Sequence, residues 1–180
     1  VTTGSTPARE NPEYYGDDIE WIKSDNINTP YHYLTKSAEG LSELGKKVAR
    51  TAPPGSTLVT CIAGSFECIG NAALTDREVS FNQQINAVTP HPNIDPFFVY
   101  AQILTGKKKI QNASTNSMKG MVSKGNFEEI TLLRPPEDLQ RKFGLLFLKY
   151  SKIIAETRDI ERTSTALLNS LAQRAFRGEL

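Results

Sequence analysis

The sequence has few of the residues on which metal centres and redox sites depend. It contains only two cysteines and two histidines in 180 residues. Six residues separate Cys61 from Cys68, a spacing that fits neither a zinc knuckle nor a redox pair. Neither His32 nor His91 has a Cys, Asp or Glu at ligand spacing. We therefore expect no metal site and interpret both cysteines as reduced packing residues.

Long apolar runs are also missing. No segment approaches the roughly 20 apolar residues that a membrane-spanning helix needs, and Val1–Ser5 is not the charged start of a signal peptide. We expect a soluble protein of the cytoplasm. Because the chain begins with Val instead of Met, we also expect that its first strand or turn is missing.

Motifs of catalysis are absent as well. Gly40–Lys47 has the glycine spacing of a phosphate-binding loop, but Lys47 stands where a hydroxyl group would have to ligate magnesium. Asp17, Asp18, Glu20 and Lys23 only distantly resemble the acidic cluster and lysine of a metal nuclease, because their spacing is one residue too long. Neither Pro-Pro pair has the flanking residues by which an adenine methyltransferase holds a flipped base. We expect no catalytic site and no cofactor in this chain.

Charge is sorted along the chain, although the formal net charge is only +1. Residues 1–31 carry two basic and six acidic side chains, whereas residues 100–125 carry five lysines and no acid. Such clustering is typical of a surface that contacts phosphates, and the alternative is a solvated surface strip. The five lysines are Lys107, Lys108, Lys109, Lys119 and Lys124, and a second basic cluster is formed by Lys46, Lys47 and Arg50.

Residues 1–134 are expected to form an α+β head of small mixed sheet and helices. Leu41, Leu44 and Val48 have helical spacing, and β-branched residues follow the Pro53–Gly55 breaker. Asp95 and Pro96 are typical of a helix start. The predicted elements are a helix over 37–49, strands over 57–63, 72–74 and 84–88, a helix over 96–105, a basic loop and a strand over 127–133.

Residues 135–180 are predicted to form one long helix. Between Glu137 and Gly178 there is no proline and only one glycine, Gly144, so a helix of about 60 Å is possible. Its apolar residues repeat every seven positions, which predicts a coiled coil, and a wider stripe predicts more protein along the flank. The partner-facing residues are Phe143, Leu146, Tyr150, Ile153, Ile160, Leu167 and Leu171, with Phe147, Ile154, Leu168 and Ala175 beside them.

Seven short motifs occur in order along nearly the whole chain. They are Gly4–Pro7, Tyr14–Gly16, Ile19–Ile22, Pro54–Val59, Asn82–Ile85, Pro135–Gln140, and Ser170-Leu171 with Ala175–Leu180. Through them the chain resembles one recognition half of a type I restriction-modification specificity subunit. A complete subunit has two recognition domains and two spacer helices, and a strand before the Gly4–Pro7 turn. The chain is then either a half-subunit that dimerises or a fragment of a longer protein.

The resemblance implies a target-recognition domain that reads one half of a bipartite site in double-stranded DNA, followed by a spacer helix. The basic clusters would contact phosphates, while Ser114, Thr115 and Asn116 would contact base edges. For Asn82–Gln84 a structural hydrogen-bonding role is preferred to base reading. Met118, Met121 and Val122 are expected to pack a short helix beneath the loop.

The resemblance also implies partners. The spacer helix would pair with a second such helix, as a homodimer if the chain is a half-subunit. Methyltransferase subunits with S-adenosylmethionine would pack on its flank, and a restriction subunit that uses ATP and Mg would join them. The competing hypothesis is a coiled-coil assembly adaptor whose globular head binds protein.

Overall fold

The structure is a computed structural model that describes residues 1–114 and 120–179. Within these ranges two sheets of four strands form the head. The strands are β1 (Thr2–Thr3), β2 (Tyr15–Ile22), β3 (Gly40–Leu41), β4 (Thr51–Ala52), β5 (Thr57–Thr60), β6 (Ala72–Leu74), β7 (Val79–Phe81) and β8 (Ile85–Val88). The first sheet has the order β1-β8-β5-β6 and the second the order β3-β2-β7-β4. Strands β2 and β7 pair in parallel, and the other named pairs are antiparallel.

In the described part of the chain, five α-helices surround and extend the sheets. They are α1 (Glu43–Val48), α2 (Pro96–Thr105), α3 (Lys107–Asn112), α4 (Lys124–Glu128) and α5 (Glu137–Phe176). The α+β fold and the long C-terminal helix are confirmed, and α2 has the predicted bounds. Asp95 caps α2, because its side chain accepts a hydrogen bond from the backbone N–H of Phe98.

The core lies on both faces of β5, a fully buried strand of the first sheet. Val59 packs with Tyr100 and Ile103 of α2 on one face, and Leu58 packs with Phe81 of the second sheet on the other. Full burial of each large apolar side chain stabilises the fold by about 1.5–3 kcal/mol. The apolar run after Pro54 was therefore correctly predicted as a buried strand, although it ends at Thr60 instead of Ala63.

The predicted helix over 37–49 is wrong in its first half. Gly40 and Leu41 form β3 and pair with β2, and α1 begins only after Ser42, whose hydroxyl oxygen accepts a hydrogen bond from the backbone N–H of Gly45. Leu41 is buried in the sheet, whereas Leu44 and Val48 are 50% and 54% exposed. Their helical spacing thus did not mark one buried face.

The segment after the basic residues also differs from the prediction. Lys107 begins helix α3 instead of a loop. The predicted strand over 127–133 is wrong, because α4 continues to Glu128 and residues 129–134 form no strand. Ser123 caps α4, and Phe127 is buried. Strand β1 precedes Gly4 and pairs with β8, contrary to the expectation that this strand is missing.

The first turns of α5 contact the start of α2 through a hydrogen bond and close packing. The side-chain oxygen of Gln140 accepts a hydrogen bond of 3.1 Å from the backbone N–H of Asp95, and its amide group donates one of 2.8 Å to the carbonyl oxygen of Pro135. Gly144 is buried directly against the Asp95 carboxylate. The first turns of α5 therefore pack against the head.

Aromatic rings complete the attachment of α5. Phe147 stacks on Phe97 at a centroid distance of 5.4 Å and contacts the rings of His32 and Tyr100. Farther along, the Arg158 guanidinium donates a hydrogen bond of 3.0 Å to the carbonyl oxygen of Pro30. From residue 162 onward every described residue of α5 is exposed.

Candidate nucleic-acid interface and partner helix

Helix α3 is braced against a loop of the head by its own first lysine. The Lys107 ammonium group donates hydrogen bonds of 2.6 Å to the carbonyl oxygen of Glu67 and to Oδ1 of Asn71. The Gln111 amide group donates to the carbonyl oxygens of Phe66 and Ile69. Lys107 thus has a structural role in the head that its membership of a basic run did not indicate.

The next two lysines face solvent. Lys108 and Lys109 are exposed, whereas Ile110 of the same helix is buried in the core. Anchored on one face by Ile110, α3 presents two adjacent cations on the other. Long cationic side chains on a fixed helix are suited to contact DNA phosphates.

The remaining predicted residues of the basic segment have different positions. Lys124 is exposed in α4 and lies 3.6 Å from Glu128, while the Ser114 hydroxyl accepts a hydrogen bond from the backbone N–H of Met121. Val122 is buried in the core, but Met121 is 40% exposed and bridges Ile62 in extended conformation. Thr115, Asn116, Met118 and Lys119 lie outside the described residues.

The second basic cluster surrounds the end of α1. Lys46 forms an ion pair of 2.7 Å with Glu78, and the hydrogen bond that its ammonium group donates to that carboxylate raises the pKa of the lysine. The Arg50 guanidinium donates a hydrogen bond of 2.8 Å to the carbonyl oxygen of Thr3. Lys47 and Arg50 are both exposed. Two positive charges of this cluster thus face solvent.

The turn before β8 is stabilised by its own amide side chains. Asn82 is buried; its Oδ1 accepts a hydrogen bond of 3.0 Å from the backbone N–H of Gln84, and its Nδ2 donates one of 3.2 Å to Gln84 Oε1. These contacts agree with the structural role preferred for this segment. Unlike the buried Asn82, Gln83 has an exposed side chain.

A further cationic group, which the sequence reasoning missed, lies beside β2. The Arg9 guanidinium lies 4.9 Å from the ring centroid of Tyr15 and 5.1 Å from that of Trp21. Both Arg9 and Lys23 pair with Glu39, and the hydrogen bond from Lys23 is the main cause that lowers the pKa of this carboxyl. The charged groups of Arg9 and Lys23 therefore make their contacts within the head.

The exposed apolar stripe of α5 is the second candidate interface. Six of the seven predicted partner residues are between 40% and 66% exposed; they are Leu146, Tyr150, Ile153, Ile160, Leu167 and Leu171. At about 100° of rotation per residue, they lie roughly 100–180° round the helix from Gln140 and Gly144, which face the head. The stripe is thus accessible while α5 remains attached to the head.

Phe143 and Phe147 do not belong to this accessible stripe. The Phe143 ring meets the Phe98 ring edge-on at a centroid distance of 5.4 Å, and the Phe143 and Phe147 side chains are half-buried against α2. The seven-residue repeat assigned them to a partner because it cannot distinguish the head of the same chain from a second protein.

The described residues support neither a metal site nor a reactive thiol at Cys61. Within residues 1–114 and 120–179 no cluster of His, Cys, Asp or Glu could hold a metal ion. Burial raises the pKa of the Cys61 thiol to about 12, so this thiol stays protonated and unreactive near neutral pH. No helix in those ranges is long and apolar enough to cross a membrane.

Residues 1–162 match the protein family described as "Type I restriction modification DNA specificity domain". The chain belongs to this family. The match spans the whole head and more than half of α5, and it includes the first six of the seven motifs.

Curated relatives of this DNA specificity domain family include subunits from a bacterium and an archaeon. The chain is 26% identical to the type I restriction enzyme HindI specificity subunit of Haemophilus influenzae, over 89% of this chain and 37% of that protein. It is 23% identical to the MjaIX specificity subunit of Methanocaldococcus jannaschii, over 98% of this chain and 40% of that protein. The chain thus spans about two fifths of the length of these relatives.

Solved structures of specificity subunits share the fold. The HsdS subunit from Thermoanaerobacter tengcongensis superposes with a TM-score of 0.62 at 15% identity, over 99% of this chain and 42% of that chain. The S subunit from M. genitalium has the same TM-score at 12% identity, over 99% and 43% of the two chains. A chain from a study of type I complex assembly reaches 0.69 at 16% identity, over 99% and 43%. The predicted domain followed by one long helix is confirmed as a specificity-domain fold.

Proposed function

We propose that this specificity domain reads one half of a bipartite site in double-stranded DNA and catalyses no reaction itself. The observation that carries the proposal is the family match, which covers the head together with α5. The curated relatives are named as specificity subunits of restriction enzymes. The competing function, a coiled-coil adaptor whose head binds protein, is not favoured by membership of a DNA specificity family.

The DNA-contacting surface is proposed to centre on α3 and the residues that follow it. Lys108 and Lys109 would contact phosphates, because they are exposed on a helix that Lys107 and Ile110 hold in place. Phosphate contacts position the protein, whereas base edges in the groove carry the sequence information. Asn116, with an amide that can pair with adenine in two ways, remains the proposed base-reading residue.

The exposed stripe of α5 is proposed to bind a second spacer helix and methyltransferase subunits. Its apolar side chains are exposed over more than six helical turns, a larger apolar surface than a monomer normally presents to water. Base modification would be carried out by those subunits with S-adenosylmethionine, and a restriction subunit with ATP and Mg would join the complex. In a half-subunit the second helix comes from another copy of this chain.

DNA binding by the chain assembled with its modification subunits tests the proposal. Replacing Lys108 and Lys109 with Ala should weaken binding to a specific and a random duplex alike, and should reduce the salt slope by roughly two units. Asn116→Ala should cost about 1–3 kcal/mol on the specific duplex alone. The matched control is Lys36→Ala, since Lys36 is an exposed lysine near the Glu20–Arg77 ion pair. An assembled complex that binds no DNA would favour the adaptor.

A further inference from the structure

Two exposed polar side chains, Thr6 and Gln83, meet at the end of the first sheet where β1 finishes and β8 begins. The turns that carry them are held together by the backbone. The N–H of Gly4 donates to the carbonyl oxygen of Ile85 at 3.0 Å, and the N–H of Ser5 donates to that of Phe81 at 2.9 Å. A Cβ atom at Gly4 would lie 2.1 Å from a backbone oxygen of the opposite turn. The close approach makes this a rigid platform.

On this platform the Gln83 side chain has a defined orientation. The Thr6 hydroxyl donates a hydrogen bond to Gln83 Oε1, and the preceding residue is fixed by the Asn82–Gln84 contacts. Among the described residues, the Nε2 group of Gln83 has no hydrogen-bond partner. Because its oxygen is already engaged, the amide offers donors to solvent, and the complementary ligand is an acceptor.

Positive charge lies beside the same turn. The backbone N–H of Arg50 donates to the Ser5 hydroxyl at 3.0 Å, and its guanidinium bonds to the carbonyl oxygen of Thr3. Only part of the guanidinium donor set is used by that bond, and the side chain is exposed. Lys47 is exposed three residues earlier. Phosphate oxygens accept hydrogen bonds and carry negative charge, so a DNA phosphate satisfies both the amide donors and the cations.

We propose that Gln83, oriented by Thr6, donates a hydrogen bond to a DNA phosphate, with Arg50 supplying positive charge next to it. This inference rests on the proposed function and adds a second phosphate-contacting region on a different loop from the α3 lysines. Such a contact is independent of base sequence and positions the head on the duplex. Sequence patterns missed it because Gln83 belongs to no basic cluster.

Binding of the assembled complex to a specific and a random duplex, measured over a range of salt concentrations, tests this contact. Gln83→Ala should weaken both by the same factor, about three- to tenfold, with no change in salt slope because no charge is lost. Gln83→Lys should strengthen both and steepen the slope by about one unit. Thr6→Val should weaken both less than Gln83→Ala, and Thr6→Ser should bind like the unmodified chain.

The control is Asn93→Ala, since Asn93 is an exposed amide beyond the opposite end of β8; it should leave binding unchanged. Thermal unfolding of each variant shows whether the head is intact. A loss confined to the specific duplex would make Gln83 a base-reading residue and overturn the phosphate contact. If Lys108→Ala weakens binding but Gln83→Ala and Gln83→Lys do not alter it, the contact is refuted while the proposed function stands. A complex without DNA binding refutes both.

Discussion

Replacing Gly144 with Ala should loosen the attachment of α5 to the head. The new Cβ atom would lie 2.4 Å from Oδ2 and 2.9 Å from Cγ of Asp95. Asp95 cannot move freely, because its Oδ1 caps α2 by accepting a hydrogen bond of 2.9 Å from the backbone N–H of Phe98. The cap is therefore weakened, and α5 also moves outward, so that the Phe98–Phe143 contact opens.

The expected cost follows from three contributions. Loss of an N-cap costs about 0.5–2 kcal/mol, and separation of an aromatic pair costs about 0.5–1.5 kcal/mol. Alanine in a helix interior gains about 1 kcal/mol over glycine. With both contacts affected, we expect Gly144→Ala to lower the free energy of unfolding by roughly 1 kcal/mol. Gly125 of α4 is the matched control, since only Ser123 Oγ, at 4.0 Å, approaches its Cβ position. Gly125→Ala should raise the free energy of unfolding by roughly 0.5 kcal/mol.

Urea unfolding of the single variants and of a double-mutant cycle with Asp95→Ala measures this effect. Alanine at position 95 removes the three atoms that would lie nearest the new Cβ, so Gly144→Ala should become neutral or stabilising in that background. The explanation is refuted if Gly144→Ala costs the same in both backgrounds, or if it stabilises the unaltered chain as Gly125→Ala does.

Three further predictions concern the partner helix, the basic helix and pH. Replacing Ile153 and Ile160 with Asp should abolish the self-association measured by sedimentation velocity, because charges would enter the exposed apolar stripe. An unmodified chain that stays monomeric at high micromolar concentration would contradict self-pairing. Lys107→Ala should lower the thermal midpoint of unfolding by a few degrees, because the hydrogen bonds to Glu67 and Asn71 are lost. Lys108→Ala should leave the midpoint unchanged. Equal midpoints for the two variants would refute the structural role of Lys107. Burial is the main cause that lowers the pKa of His32 below 6.5, so the unfolded chain binds the proton more readily. The free energy of unfolding should therefore fall as the pH drops below about 6.5, and His32→Gln should show a smaller fall between pH 7 and 5.5.

The sequence alone determined the elements whose signals are local. Pro96 after a capping Asp95 defined the start of α2, and the absence of proline after Glu137 defined α5. The apolar β-branched run after Pro54 predicted β5, since a strand covered on both faces needs apolar side chains throughout. Seven motifs in order predicted the family. All of these signals lie within short stretches of chain and need no knowledge of distant contacts.

Only the tertiary structure determined the role of side chains whose contact partners lie far away in the sequence. Leu41 has helical spacing but pairs in a sheet, and Lys107 belongs to a basic run but braces a loop. Phe143 fits a heptad yet packs on α2. In each case a contact partner distant along the chain, which periodicity and charge counting cannot locate, determines the role of the side chain. The Thr6–Gln83 pair, separated by 77 positions, became visible only when β1 and β8 were adjacent.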